Sequence, residues 1–298
     1  MRSNLPNFII IGAMKAATTS IYTYLKQHPD IFMPKVKEPM FFNNYKQEID
    51  HYVLGRKTKK IKTLQEYRSL FNDVKSEKAI GEASPGYIYN SLAPNLIKEE
   101  IPDVRIIAIL RQPISRAYSN FLHARKAGRE PIKKFKDALK KEKIRMQNNW
   151  SPLYFYKDKG FYYKQLSRYF KIFPKERIKI LLFEDVIINP EKASKEIFRF
   201  LRVDDNFKPN TKQKTNVSGT PKGLFGWIIK KLRFYNLMPN IQLSKFLPYF
   251  LLNMMFNAAY SKPKKLDETL KTDLTKTFYK EDILKLEKLI DKDLSHWL

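Results

Sequence analysis

Continuous apolar runs, rather than alternating ones, set the pattern of this chain. Asn7–Gly12 (NFIIIG) is the first. Such a run fits a strand covered on both faces, as in a parallel sheet. Ala13–Ala17 follows as a loop, and Thr18–His28 then carries Ile21, Tyr24, Leu25 and His28 on one side of a helix that Pro29 stops. Arg105–Leu110 (RIIAIL) repeats the arrangement: Gln112-Pro113 breaks the strand, and Ile114–Lys126 reads as a helix closed by Gly128. Ile178–Phe183 (IKILLF) is a third strand, followed by a helix that starts at Asn189-Pro190 and runs through Leu201. Ala79–Glu82 is a shorter fourth strand.

Strands alternating with helices predict an α/β fold, a P-loop-like parallel sheet flanked by helices on both faces. Ligands of such sheets bind beyond the carboxyl ends of the strands, which places the chemistry just after Gly12, Glu82 and Leu110. Lys133–Gln147 predicts a very basic helix, read as a solvated face or as a lid. Gly223–Tyr260 alternates aromatic and aliphatic residues with Lys and Arg. It reads either as helices packed on the core or as an amphipathic segment on a membrane or an apolar acceptor. Asp282–Leu298 predicts a last helix with Ile283, Leu286, Leu289 and Ile290 on one face. With no internal repeat and no linker, residues 1–298 read as a single domain, in which 224–270 is the variable part.

Composition changes this picture in two respects. Lys and Arg total 57 against 30 Asp and Glu, a net charge of +27. A field of that sign concentrates anions, whether nucleic acid, lipid, polyanionic sugar or phosphorylated ligand, but a Lys-rich composition alone produces the same field and selects no function. The chain has no cysteine. That excludes disulfides, thiolate catalysis and Cys-ligated metals, and it accords with a reducing, cytoplasmic setting. Phe8–Ala13 is too short for a secretory core, and no run reaches the roughly 20 apolar residues of a membrane span, so a protein at most peripheral to the membrane is expected.

Gly12–Ser20 (GAMKAATTS) lies between a buried strand and a helix. The amides of Ala16, Ala17 and Thr18 at a helix start, the Lys15 charge and the hydroxyls of Thr18, Thr19 and Ser20 suit a phosphate. This is not a Walker A loop, whose Gly-Lys-Ser/Thr comes at the end; here the lysine sits three residues before the first Thr. A P-loop kinase or NTPase therefore lacks its βγ-phosphate lysine and its magnesium hydroxyl. Arg111 falls at a strand's carboxyl end, where a guanidinium can grip a second phosphate, and Ser119 lies about two turns into the next helix. Arg111 alone reads equally as a surface salt bridge. Two phosphate sites at two strand ends are harder to explain that way, and they argue against a non-enzymatic basic protein binding nucleic acid or polyanions.

These segments resemble PAPS-dependent sulfotransferases (PAPS is 3′-phosphoadenosine 5′-phosphosulfate), in the heparan sulfate-type and bacterial carbohydrate branch. Phe8–His28 is similar to the family's 5′-phosphosulfate loop, a strand, then Lys-x-Gly-Thr-Thr, then a helix, with Ala17 where Gly is usual. Alanine fits there if its φ is negative. Arg105–Gly128 resembles the 3′-phosphate segment, with Arg111 and Ser119 at its two ligand positions. Gly160–Phe173 and Lys179–Leu201 resemble later family elements, and Asn216–Gly223 the loop that closes over the nucleotide, nominating Lys222 and Gly223. Lys35–Asn43 resembles the family's Lys-Glu-x-x-Phe-Phe stretch, which makes Glu38 the base, with His123 as runner-up. Met40 and Asn43 stand where some carbohydrate enzymes carry His and Asp, which leaves the substrate class open. The resemblance implies in-line transfer of a sulfuryl group from PAPS to a hydroxyl or amine of a saccharide or glycolipid. Lys15 would then act on the leaving phosphate, without a metal. Glu82 and Ser84, in the turn after a strand, are expected to orient the acceptor.

Overall fold

The computed structural model describes residues 5–47, 60–212, 220–221, 260–261 and 265–298. Its sheet is built from β1 (Phe8–Gly12), β2 (Ile31–Phe32), β3 (Ala79–Ala83), β4 (Arg105–Leu110) and β5 (Ile178–Leu182). The five strands lie in the order β2-β3-β1-β4-β5, and every neighbouring pair is parallel. Every residue of β1 is buried, so both faces of the sheet centre are covered, as its unbroken apolar run requires. The register sets Ile9 against Glu82 of β3 and Ile106 of β4.

The chain leaves β1 toward the β2 edge and leaves β4 toward the β5 edge. Between adjacent β1 and β4 the connections diverge, and a crevice opens there beyond the carboxyl ends of the two strands. The residues after Gly12 and after Leu110 both enter it.

The helices, among the described residues, are α1 (Thr18–Leu25), α2 (Leu64–Ser69), α3 (Ala93–Glu100), α4 (Pro113–Lys126), α5 (Phe135–Lys140), α6 (Glu142–Gln147), α7 (Tyr162–Phe170), α8 (Phe183–Ile188), α9 (Pro190–Leu201) and α10 (Glu268–Ile290). Local chemistry explains their starts. Proline occupies the first turn of α4 and α9, where its missing N–H is not needed. The side chains of Gln112, Asn189 and Asp267 accept from the amides of Ser115, Lys192 and Leu270 and so cap α4, α9 and α10. α1 and α9 pack together, while α10 packs against α7 and α4.

The α/β architecture expected from the sequence is the one observed, but several boundaries differ. α1 ends at Leu25 rather than His28, and Phe183 begins α8 instead of ending the strand. The last helix starts at Glu268, well before Asp282, and stops at Ile290. Its buried residues are Thr275, Tyr279, Ile283, Leu286 and Ile290, so Thr and Tyr extend a face that apolar spacing alone starts late. The basic segment 133–147 is two short helices meeting at Lys141. Arg145 makes two hydrogen bonds to Glu130, at 2.7 and 2.9 Å, and both residues are buried. Tyr156 donates to the same carboxylate, so this segment is anchored by a desolvated ion pair and is not a free lid. Of 224–270, only Tyr260–Ser261 and 265–270 are described, and Gly223–Tyr260 lies otherwise outside the described residues. Tyr260–Ser261 pairs antiparallel with Thr220–Pro221, which packs near α4.

Gly160, ahead of α7, lies in close contact with α10. A Cβ there would lie 2.6 Å from Tyr279 Oη and 2.7 Å from ring carbons of a fully buried side chain. Gly160→Ala is therefore expected to destabilise the fold by about 1–3 kcal/mol, since a packed ring has no rotamer to escape into. Chemical denaturation of the two proteins measures this, and an unchanged midpoint would show that α10 does not seat there in solution.

Candidate active site

The loop after β1 turns through left-handed backbone twice, at Lys15 (φ 70) and Ala17 (φ 62), with Ala16 between them outside that region. Alternation of this kind makes anion-binding concavities from successive amides. Ala17 is also the N-cap of α1, and it offers no side-chain cap to the first amides of the helix. The positive end of α1, whose first turn is Thr18, Thr19 and Ser20, thus begins directly after Lys15. The φ of Ala17 is positive, so the condition under which alanine fits without strain is not met; a left-handed alanine costs about 1 kcal/mol or more that glycine would not.

Arg111, the residue after β4, reaches across the crevice. Its Nη1 donates to the Lys15 carbonyl at 3.1 Å, and its guanidinium lies 4.2 Å over the Phe183 ring. Tyr162 donates to the Arg111 carbonyl at 3.0 Å and fixes the backbone beneath it. Burial first, then the charge of Arg111, hold the Lys15 ammonium below its ordinary value, with Lys37 adding and Glu38 opposing. Burial is also the main cause that lowers Arg111. Two desolvated cations side by side form a site that an anion would relieve of both penalties. Ser119 is half-buried on α4, two turns in from Pro113.

Glu38 sits on the opposite wall, in a loop with left-handed backbone at Glu38 (φ 60) and Met40 (φ 53). Its side chain is 43% exposed and is paired with the Lys37 ammonium. The carboxylate is close enough to Lys15 to act on its ionisation. His123 lies on α4 with its ring exposed. Its partial burial and then Lys15, Arg129 and Lys126 push it well below its ordinary value; given its exposure, the three cations carry that direction. A ring so placed is a poor proton acceptor.

The structure brings Arg111 against the Lys15 carbonyl, runs Ala16 to Ser20 from there into the first turn of α1, and sets Glu38 near enough to act on Lys15. Glu82 and Ser84 are placed differently from the other nominated residues: both are 0% exposed, beneath the Glu38 loop. Lys222 and Gly223 lie outside the described residues. Phe183 and Tyr162, which seat Arg111, were not singled out in the sequence, although both stand in segments that carried the resemblance. Among the described residues no group of three or more His, Asp or Glu could hold a metal ion, and no helix is long and apolar enough to cross a membrane.

The model of the sulfotransferase family matches residues 6–207. A membrane-associated sulfotransferase, kil1 of Dictyostelium discoideum, is 26% identical over 291 residues, covering 69% of this chain and 58% of that protein. The human bifunctional heparan sulfate N-deacetylase/N-sulfotransferase 3 is 33% identical over 128 residues, 41% of this chain and 13% of its own length. The chain thus spans only part of the length of these relatives. A crystal structure of a sulfotransferase from Alicyclobacillus acidocaldarius superposes with a TM-score of 0.76 at 29% identity, over 98% of both chains.

The left-handed alanine gives a direct check on the loop. Ala17→Gly is expected to stabilise the protein by about 1 kcal/mol, because the strain removed outweighs the freedom glycine adds to the unfolded chain. Calorimetric melting should show the midpoint rise by roughly 1–2 °C. A fall would mean that the loop does not hold this conformation.

Proposed function

The chain belongs to the sulfotransferase family, and on that premise we propose that it moves a sulfuryl group from PAPS to a hydroxyl or amine of a saccharide or glycolipid. The observation that carries this reading is the pair of desolvated cations, Lys15 and Arg111, at the carboxyl ends of adjacent strands, with the Arg111 guanidinium donating to the Lys15 carbonyl. The α1 amides, Lys15, Thr18, Thr19 and Ser20 take the 5′-phosphosulfate. Arg111 and Ser119 take the 3′-phosphate, and Lys222 with Gly223 close over the nucleotide. The acceptor oxygen or nitrogen attacks sulfur in line. Its bond to sulfur forms as the bond from sulfur to the bridging phosphate oxygen breaks, and adenosine 3′,5′-bisphosphate leaves. Glu38 takes the acceptor proton, and Lys15 neutralises the charge growing on the leaving phosphate.

A saccharide acceptor is supported by the heparan sulfate enzyme among the relatives and by a net charge of +27, which would collect an anionic chain. Peripheral membrane contact is supported by the name of the Dictyostelium relative, and a cytoplasmic setting by the lack of cysteine. Glu38 is preferred to His123 as base because Lys15, Arg129 and Lys126 surround the imidazole with positive charge.

Calorimetric titration with adenosine 3′,5′-bisphosphate, beside ATP, tests the nucleotide site. Tight binding of the bisphosphate over ATP is expected. Arg111→Ala should weaken it by about 100-fold, the loss of charge-assisted bonds to one phosphate. Equal binding of ATP, or no binding, would overturn the reading. With a sulfated product detectable on a saccharide, Glu38→Gln should lower kcat by about 10²–10⁴ while leaving bisphosphate affinity in place. The same loss from His123→Ala, with Glu38→Gln active, would reassign the base.

A further inference from the structure

The Glu38 loop has an unusual foundation. Below it lies Glu82, a carboxyl with no solvent contact at the end of β3. Ser84 Oγ donates to Glu82 Oε2 at 2.8 Å, and Tyr67 Oη of α2 donates to Oε1 at 3.3 Å. The Tyr87 hydroxyl also bonds to this carboxyl. Each of two hydroxyls then accepts from the loop: the Met40 amide donates to Ser84 Oγ at 3.0 Å, and the Phe42 amide to Tyr87 Oη at 3.3 Å. A carboxyl oxygen that takes the hydroxyl proton turns the hydroxyl's lone pairs outward, toward the backbone N–H groups above. Phe41 stacks on Tyr67 with ring centroids 4.3 Å apart, which seals the network from water.

We propose that Glu82 is a positioning residue: acting through Ser84 and Tyr87, it clamps the amides of Met40 and Phe42 and so holds Glu38, two residues before Met40, at the crevice. Its consequence for catalysis rests on Glu38 being the base, but the clamp itself does not. The arrangement explains how a loop can hold left-handed backbone at both Glu38 and Met40. Such backbone persists only where surrounding structure over-determines it. It also gives a role to a buried carboxyl at a place where an apolar side chain would pack more cheaply. Glu82 itself has no solvent contact.

The groups facing Glu82 are Ser84, Tyr67 and Tyr87, with Tyr169 of α7 and Glu38 within electrostatic reach. Burial is the first cause that pushes the carboxyl from 4.5 up to about 7, against the three hydroxyls that lower it. Opening the loop admits water and returns the carboxyl toward its ordinary value, so opening releases a proton. The closed loop is therefore most favoured at low pH and weakens as pH rises from 4.5 to about 7.

Amide-resolved hydrogen exchange on the full chain, without nucleotide, tests the clamp. Rates are compared with the intrinsic rate at each pH. Ser84→Ala should speed exchange at Met40 by about tenfold with less effect at Phe42, and Tyr87→Phe should do the reverse, while β1 and β4 amides stay protected. In the parent protein, protection of both amides should fall between pH 5 and 7, and in Glu82→Gln this slope should vanish. Unchanged exchange at Met40 and Phe42 in the Ser84 and Tyr87 variants would overturn the proposal. So would equal acceleration across β1 and β4, or a slope that survives in Glu82→Gln. If Glu82→Gln does not fold, the two arm variants decide the matter. No nucleotide enters this experiment, so its failure is distinct from failure of the bisphosphate titration.

Discussion

The hydrogen bond from Arg111 to the Lys15 carbonyl is the contact on which the site depends. It joins the residue after β4 to the loop after β1, at the place where the sheet's connections diverge. Two cations would not remain this close in a partly buried crevice on their own account. They are held by other parts of the fold: Phe183 beneath the guanidinium, Tyr162 on the Arg111 carbonyl, and the parallel register of β1 with β4. The electrostatic cost is local, and the apolar sheet sustains it. What results is preorganised positive charge in a sheltered place, the condition under which fixed charges act most strongly on a reacting anion.

The opposite wall follows the same logic with the sign reversed. Glu38 stands exposed and paired with Lys37, in a loop whose backbone is strained at two positions. Beneath it, a second carboxyl is buried among hydroxyls. A single carboxylate serving as base needs water access for its proton, whereas one serving as an anchor needs exclusion from water so that its hydrogen bonds are not exchanged for solvent. On the proposed reading, Glu38 at the rim meets the first requirement and Glu82 below meets the second.

Net charge enters less directly than composition suggests. Among the described residues most of the cations are not buried, and there they set a field that attracts anions but discriminate little among them. On the proposed reading, discrimination rests with the few that are desolvated. Lys15 and Arg111 face the crevice, while Arg145 is neutralised by Glu130 and supports the fold. Burial and partner, not residue type, separate Lys15 and Arg111 from Arg145.

The sheet was legible because its strands are continuous apolar runs: Arg105–Leu110 is both the run and the strand. The positions of Lys15 and Arg111, just after β1 and β4, were legible for the same reason, and Glu38 was nominated because it stands in a recognisable short motif. Two things were hidden. The face of α10 includes Thr275 and Tyr279, which hydrophobic spacing does not count, so its first half was missed. Glu82 looked like a residue of the acceptor cleft because sequence places it at a strand end but does not say which way its carboxyl points. That direction depends on Tyr67 and Tyr87, on two other segments, and on a loop folded over all three. Sequence by itself determined the order of strands and helices and the chemical groups available at their ends, because those follow from local pattern and neighbouring residues. Only tertiary structure decided which of those groups face the crevice and which are sealed beneath it, because burial and hydrogen-bond direction are properties of segments brought together from far along the chain.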